Sequence, residues 1–218
     1  PVVNNLQEGK SLLQLMTGYD EDHLKTRSTI KNAVKLYQEL SNKSIRQIPN
    51  YKKPIHLSID VNLDSITDDQ KLFLTNQPMA MEQILTDIRL PEIIKRIEGQ
   101  TIIYTEYLGT ADPNKTRIID KIKSTVEHAG FSCGLYTGEN RSGLDKFKKE
   151  EIQVLIASRP ISTGIDGLQR VCNNLIFNTL PWTNAQYIQI IGRLVRTGQE
   201  KEVKIHHILA GIKKYRYD

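Results

Sequence analysis

Thr101-Ile102-Ile103-Tyr104-Thr105-Glu106-Tyr107 is the stretch on which the fold turns. This short apolar run, TIIYTEY, reads as a buried strand. Downstream, Asp112-Pro113-Asn114 marks a turn. Lys115 to Ala129 follows, with Ile118, Ile122, Val126 and Ala129 at helical spacing, until Gly130 stops the pattern. Phe131 to Tyr136 reads as a second strand. Ser142 to Lys149 reads as a short helix with Leu144 and Phe147 on its inner face. Ile152 to Ala157 (IQVLIA) is a third strand, Asn174 to Phe177 a fourth, and Val203 to Leu209 the last. Strands that alternate with helices in this way indicate an α/β fold, a parallel sheet with helices on both faces. Ligands of such sheets bind beyond the carboxyl ends of the strands. The loops after residues 107, 136, 157 and 178 are therefore where a site is expected.

Upstream of residue 99 the pattern changes. Residues 22–47 are charged and helical in pattern, and Pro49 to Pro54 breaks the chain. Ile55 to Leu63 alternates like an exposed strand. Thr67-Asp68-Asp69-Gln70 looks like a helix start leading to about Leu74, and Met81 to Ile97 is a further helical stretch with Pro91 as an expected interruption. Residues 1–98 are accordingly expected to form a mostly helical linker or insertion, and residues 99–218 the main domain.

Bulk composition narrows the class. The chain has 218 residues, 39% hydrophobic and 25% charged, as in globular proteins that fold in water. No apolar run approaches membrane-spanning length and no signal-peptide pattern opens the chain, so no membrane partner and an intracellular setting (cytoplasm, nucleoid or nucleus) are expected. The net charge of +5 leans toward a polyanionic partner. Cys133 and Cys172 lie in apolar surroundings away from any metal-ligand spacing, and read as buried thiols. Because the chain opens at Pro1 and stops at Asp218, an excised piece of something longer is expected.

Two segments carry candidate chemistry. The first is Ser158-Arg159-Pro160-Ile161-Ser162-Thr163-Gly164-Ile165-Asp166-Gly167-Leu168. A small hydroxyl directly after a strand can meet a phosphate, and the glycines let backbone approach a ligand closely. Asp166 stands where an acceptor could meet a ribose hydroxyl, or where it simply caps a strand-to-helix connection. The second is Gln189-Ile190-Ile191-Gly192-Arg193-Leu194-Val195-Arg196-Thr197-Gly198-Gln199. On a helix, Gln189, Arg193 and Arg196 share one face, and Ala185, Ile188, Ile191 and Val195 run down another at core spacing. Two guanidinium groups on a rigid helix would make an anion clamp.

The glycine-containing loop, a strand, Pro181-Trp182 and then Q-x-x-G-R-x-x-R follow one another within about forty residues. This order resembles motifs V and VI of superfamily 2 helicases, and the elements from Thr101 onward resemble that superfamily's second RecA-like lobe. Arg196-Thr197-Gly198-Gln199 with Pro181-Trp182 upstream looks most like the Swi/Snf-type translocase branch. Ser44-Ile45-Arg46-Gln47-Ile48-Pro49, the strand from Ile55 and Gln70 also resemble the segment that joins the two lobes there. The remodeller branch usually has Gly-Leu-Asn-Leu where this chain has Gly164-Ile165-Asp166-Gly167, and often an acid where Asn178 stands. The Asp form is nearer to other branches.

The resemblance implies roles residue by residue. Arg196, with Arg193, would be an arginine finger on a transferring γ-phosphate, and Gln189 would face the same nucleotide. Gly164, Asp166 and Gly192 would lie along the bound nucleotide. Ser158, Thr105, Thr137, Gly138 and Arg141 would meet nucleic-acid backbone, without reading sequence. ATP with magnesium would be held mainly by a first RecA-like lobe outside this chain. The implied partner is DNA, double-stranded above all, with RNA open. A strand-unwinding helicase, a restriction-system motor subunit and a catalytically degenerate binding or docking module are the competing expectations. On its own the chain is expected to hydrolyse no ATP.

Three features are expected to be decoys. Gly9-Lys10-Ser11 resembles the end of a phosphate-binding loop, but Asn4 stands where that pattern needs glycine. His206 and His207 are neighbours on an expected strand, so they point to opposite faces and do not chelate together, and no metal site is expected. Trp182 and Tyr187 could stack on a base, although packing is the simpler role.

Overall fold

The computed structural model describes residues 5–44, 51–67, 77–110 and 113–210. The chain divides into two compact units, Pro1–Asn50 and Tyr51–Asp218. The boundary expected between residues 98 and 99 falls inside the second unit.

The first unit holds α1 (Leu6–Thr17) and α2 (Ile30–Asn42). Asn5 caps α1 by accepting from the Glu8 amide at 3.0 Å, Thr29 caps α2 through the Asn32 amide, and Gly18 ends α1 at φ 72°. Leu13, Leu24 and Leu36 form its core. Gly9-Lys10-Ser11 lies within α1 and is no phosphate-wrapping loop, and Lys10 pairs with Asp22 at 3.3 Å. The helical pattern expected over residues 22–47 is realised as α2, while α1 was not anticipated.

The second unit is a six-stranded sheet, all parallel. Its strands are β1 (Ile55–Asp60), β2 (Thr101–Tyr104), β3 (Cys133–Tyr136), β4 (Val154–Ala157), β5 (Asn174–Phe177) and β6 (Lys204–Leu209), in the order β1-β6-β5-β2-β4-β3. Among the described residues its helices are α3 (Pro78–Ile94), α4 (Ile118–His128), α5 (Gly143–Lys148), α6 (Leu168–Val171) and α7 (Asn184–Ile191). The strand expected from Ile55 is therefore not part of a separate linker. It is the edge of the main sheet, paired with β6 from Ile55↔Lys204 to Asp60↔Leu209. The helix expected near Gln70 lies outside the described residues, as do residues 45–49 of the joining-segment match.

Every residue of β2, β4 and β5 is buried, as strands covered on both faces require. Alternation sorts them. Ile102, Tyr104, Leu155, Ala157, Leu175, Phe177 and Ile205 pack with Phe147, Leu168, Ile190 and Leu194. Ile103, Val154, Ile156, Ile176 and Ile208 pack on the opposite face with Leu90 and Ile93 of α3 and Ile118, Ile122 and Val126 of α4. Ala129, expected on that inner face, is exposed. α4 begins at Ile118 rather than Lys115 because the Ile118 and Ile119 amides donate to the Gly109 and Leu108 carbonyls of the loop after β2.

Pro91 does not interrupt α3, which runs through it. The ring removes a donor to the residue four back, but Asp87 and Pro91 both face solvent, where water can take the place of the lost bond, while Leu90 and Ile93 anchor the buried side. α5 lies directly on β3. A β-carbon at Gly143 would stand 2.7 Å from the Gly134 carbonyl carbon, so only glycine permits this contact.

Candidate functional site

The strand registers Tyr136↔Ala157, Tyr104↔Ala157 and Tyr104↔Phe177 bring the carboxyl ends of β3, β4, β2 and β5 level. The next residue of each strand is polar: Thr137, Ser158, Thr105 and Asn178, all of them buried. The loops picked out by sequence thus share one edge of the sheet.

Thr105 is 0% exposed. Its hydroxyl contacts the Tyr107 carbonyl at 3.1 Å and the Thr179 hydroxyl at 3.4 Å, and accepts from Asn178 Nδ2 at 3.3 Å. Asn178 Nδ2 also donates to the Thr86 hydroxyl of α3 at 3.1 Å. The side chain of Thr105 is therefore internal, and the expectation that it meets nucleic acid passes to the loop it begins. Thr137 Oγ1 accepts from the Asn140 and Glu139 amides at 3.0 and 3.3 Å, which folds residues 137–140 into a tight turn. That turn leaves Gly138 and Arg141 exposed, with open space where a Gly138 β-carbon would stand. Ser158 is buried at the start of a 3-10 turn, Arg159–Ser162.

The segment after α7 departs most from expectation. α7 ends at Ile191, before either arginine. The Arg193 and Leu194 amides bond to the Ile190 and Ile191 carbonyls three residues back, so the backbone tightens. The apolar side of α7 also differs from expectation. Ile188, expected in the core, is 58% exposed and Ala185 is exposed, while Ile190 and Leu194 are buried. Ile191 and Val195 pack at the core's border. Gln189 faces solvent on α7. Gly192 caps the helix, where a β-carbon would stand 3.1 Å from the Ile188 carbonyl oxygen.

The arginines do different things. Arg193 Nη1 donates to the Ile165 carbonyl at 3.1 Å and Nη2 to the Ser162 carbonyl. Burial, with Arg196 nearby, lowers its pKa from the ordinary arginine value. Arg193 is thus the internal brace of the loop from Ser158 to Leu168. Arg196, 35% exposed, pairs with Asp166 at 3.1 Å. Asp166 is the more open partner. The Gly167 amide first, and then Arg196, hold its carboxyl below the usual range. Gly164 and Gly167 adopt φ 64° and 91° on either side of Ile165 and Asp166, and these left-handed turns set where the carboxylate stands.

Sequence reading missed three side chains that tie these segments together. Gln169 is buried, accepts from the Gly167 amide at 3.1 Å, and reaches the Asp166 carboxylate and the Thr197 carbonyl at 3.5 and 3.4 Å. Gln199 Nε2 donates to the Cys172 carbonyl at 2.9 Å. Glu106 pairs with Arg159 at 2.7 Å. All three join segments far apart in sequence, so no local pattern marks them.

His207 stacks on Phe177 at 5.6 Å and on His56 at 5.5 Å, with its Nε2 2.8 Å from the Tyr187 hydroxyl. His206 is buried with its Nδ1 unpartnered. Among the described residues no three His, Cys, Asp or Glu side chains cluster as a metal site, and no helix is long and apolar enough to cross a membrane.

The "Uncharacterized ATP-dependent helicase YqhH" of Bacillus subtilis (strain 168) is 26% identical over 174 residues, 75% of this chain and 29% of that protein. The chain spans less than a third of that relative's length. Among solved structures, S. cerevisiae Dbp5 bound to RNA and ADP BeF3 superposes with a TM-score of 0.50 at 18% identity, over 86% of this chain and 47% of that one. The DEAD box protein from the hyperthermophile Methanococcus jannaschii gives 0.46 at 22% identity, over 73% and 36%. The six-stranded parallel sheet with flanking helices is that of the RecA-like C-terminal lobe of helicases. Residues 82–198, more than half of the chain and containing every loop described above, match the Helicase conserved C-terminal domain, and the chain belongs to that family.

Proposed function

We propose that this chain is the C-terminal motor lobe of an ATP-dependent translocase of the Swi/Snf-like branch, moving on double-stranded DNA. The observation that carries the reading is the solvent-facing Arg196–Asp166 ion pair, which joins the loop after β4 to the turn after α7. An exposed ion pair is worth only about 0–1 kcal/mol. It is a resting clasp between two groups that a nucleotide would separate, with the ribose hydroxyls drawn by Asp166 and the terminal phosphate by Arg196. Arg196 would stabilise charge developing on the γ-phosphoryl group during hydrolysis. Arg193 does not take part directly. It holds the loop carrying Asp166 to the turn carrying Arg196, so that Ser158 and the nucleotide-facing pair move as one body.

The donor set fits one half of a nucleotide site. It offers a guanidinium and a carboxylate, but among the described residues no carboxylate cluster for magnesium. A separate lobe would hold the metal and most of the nucleotide. The name of the Bacillus relative supports ATP dependence.

The test uses the full-length protein. Arg196→Ala should lower nucleic-acid-stimulated ATP turnover by about 10³-fold or more, the range for loss of an arginine finger. Unchanged turnover would sink the proposal and favour a docking module. Strand-displacement and triplex-displacement assays then separate unwinding from translocation, and duplex against single-stranded RNA cofactors separate the polymers.

A further inference from the structure

Glu106 and Arg159 each lie two residues beyond their strands, β2 and β4, whose last residues Tyr104 and Ala157 are register partners. The loops after these two strands are locked there by a carboxylate that is almost wholly buried. The Glu106 side chain is 4% exposed, and its Oε1 accepts from Arg159 Nη2 at 2.7 Å. Its Oε2 accepts the Tyr104 hydroxyl, and its backbone amide donates to Thr179 Oγ1 at 2.6 Å. Burial and then Glu106 push the Tyr104 hydroxyl far above its ordinary pKa, so it stays a donor. Arg159 differs from its partner in being 61% exposed.

A tie between two loops needs only the inner nitrogen of that guanidinium. The outer part of the group is left facing solvent beside Ser158, on the same edge as the exposed Arg141. Guanidinium is planar, so fixing one nitrogen fixes the direction of the remaining N–H groups. The side chain's rotamer freedom is spent before any ligand arrives, which is what preorganised anion recognition requires. Glu106 also keeps Arg159 in place, because withdrawing the arginine would strand a buried carboxylate.

We infer that Arg159 binds a backbone phosphate of the nucleic acid, and that Glu106 is a positioning residue that holds its guanidinium toward that phosphate. The inference rests on the motor-lobe reading and adds a contact to it.

The test is a salt titration of the full-length protein, without nucleotide, against a fluorescently labelled DNA duplex. Arg159→Gln should reduce the slope of log K against log salt by about 0.9, the loss of one phosphate contact on B-form DNA. Arg159→Lys should keep the slope with weaker binding, since the charge remains and the fork is lost. Glu106→Gln should change affinity in the native background and have no effect once Arg159 is glutamine. An unchanged slope in Arg159→Gln, with only the melting temperature lowered, would reduce the pair to a loop tie and overturn the inference. An equal effect of Glu106→Gln in both backgrounds would overturn the positioning role. Native protein that fails to bind DNA or RNA at all would remove the motor-lobe reading with it. DNA binding, together with ATP turnover that depends on Arg196, would leave that reading standing whatever Arg159→Gln does.

Discussion

Replacing Arg193 with alanine separates a brace from a catalytic finger. The native side chain makes two hydrogen bonds to backbone carbonyls, those of Ser162 and Ile165. Bonds to a charged donor contribute about 1.5–3 kcal/mol each, so the gross loss is about 3–6 kcal/mol. Against this, the mutation removes a partly desolvated cation whose Nε is buried without a partner, a relief of about 1–3 kcal/mol. Taking the middle of each range, the net effect is about 2–3 kcal/mol, and it falls on residues 162–167, where both hydrogen bonds end. At about 1.4 kcal/mol per tenfold, local opening should become roughly 30- to 150-fold more frequent. Amide hydrogen exchange of this chain should therefore accelerate by that factor over the loop, while β2, β4 and β5 keep their protection. Arg193→Lys should fall between, since an ammonium reaches one carbonyl better than two. If the loop amides of Arg193→Ala exchange at the native rate, Arg193 braces nothing, and the separation of roles between the two arginines fails.

Other expectations follow from single contacts. Gly143→Ala places a methyl group 2.7 Å from backbone of β3, neither side of which is a flexible side-chain tip, so it should cost about 3 kcal/mol and lower the melting temperature by about 6–12 °C. A native melting temperature would mean that α5 does not sit on β3 as described. His206 has its pKa lowered to about 4 by burial first and then by Arg96 and Lys204, with Glu98 opposing. The unfolded chain therefore takes up this proton first. The stability held by neutral His206 is complete above pH about 6.5 and is lost as pH falls toward about 4. Urea midpoints measured across that window should fall more steeply for the native chain than for His206→Gln, and parallel slopes would refute the assignment. Finally, the chain of residues 1–218 alone should show no ATP turnover with or without DNA, and turnover abolished by Lys10→Ala would restore a phosphate-loop role to a segment that is helical here.

The sheet was legible because its signal is local. TIIY, VLIA and NLIF are short, mostly apolar runs between turn signals, and each became a strand buried on both faces. β1 was recognised as a strand but assigned to the wrong unit. Its side chains are mostly exposed because it is an edge, and an edge strand of a sheet looks in sequence like a strand of anything. Pro91 misled for a related reason. Proline's penalty depends on whether the bereaved carbonyl meets water, which burial decides and sequence does not state.

The candidate site was legible as a set of residues and illegible as a set of partners. The spacing Q-x-x-G-R-x-x-R picks out Gln189, Arg193 and Arg196, but it presupposes a helix that ends at Ile191. The two arginines must then be told apart by where their donors go. Arg193 has two of its N–H groups on carbonyls of the preceding loop, which a phosphate could claim only by breaking that loop. Arg196 is held by an exposed carboxylate, which a phosphate can replace at little cost. Donor accounting of this kind leaves Arg196 the guanidinium that a phosphate could reach, and makes Arg193 the side chain that holds the loop of Asp166 in place. Periodicity alone gives the two arginines the same standing.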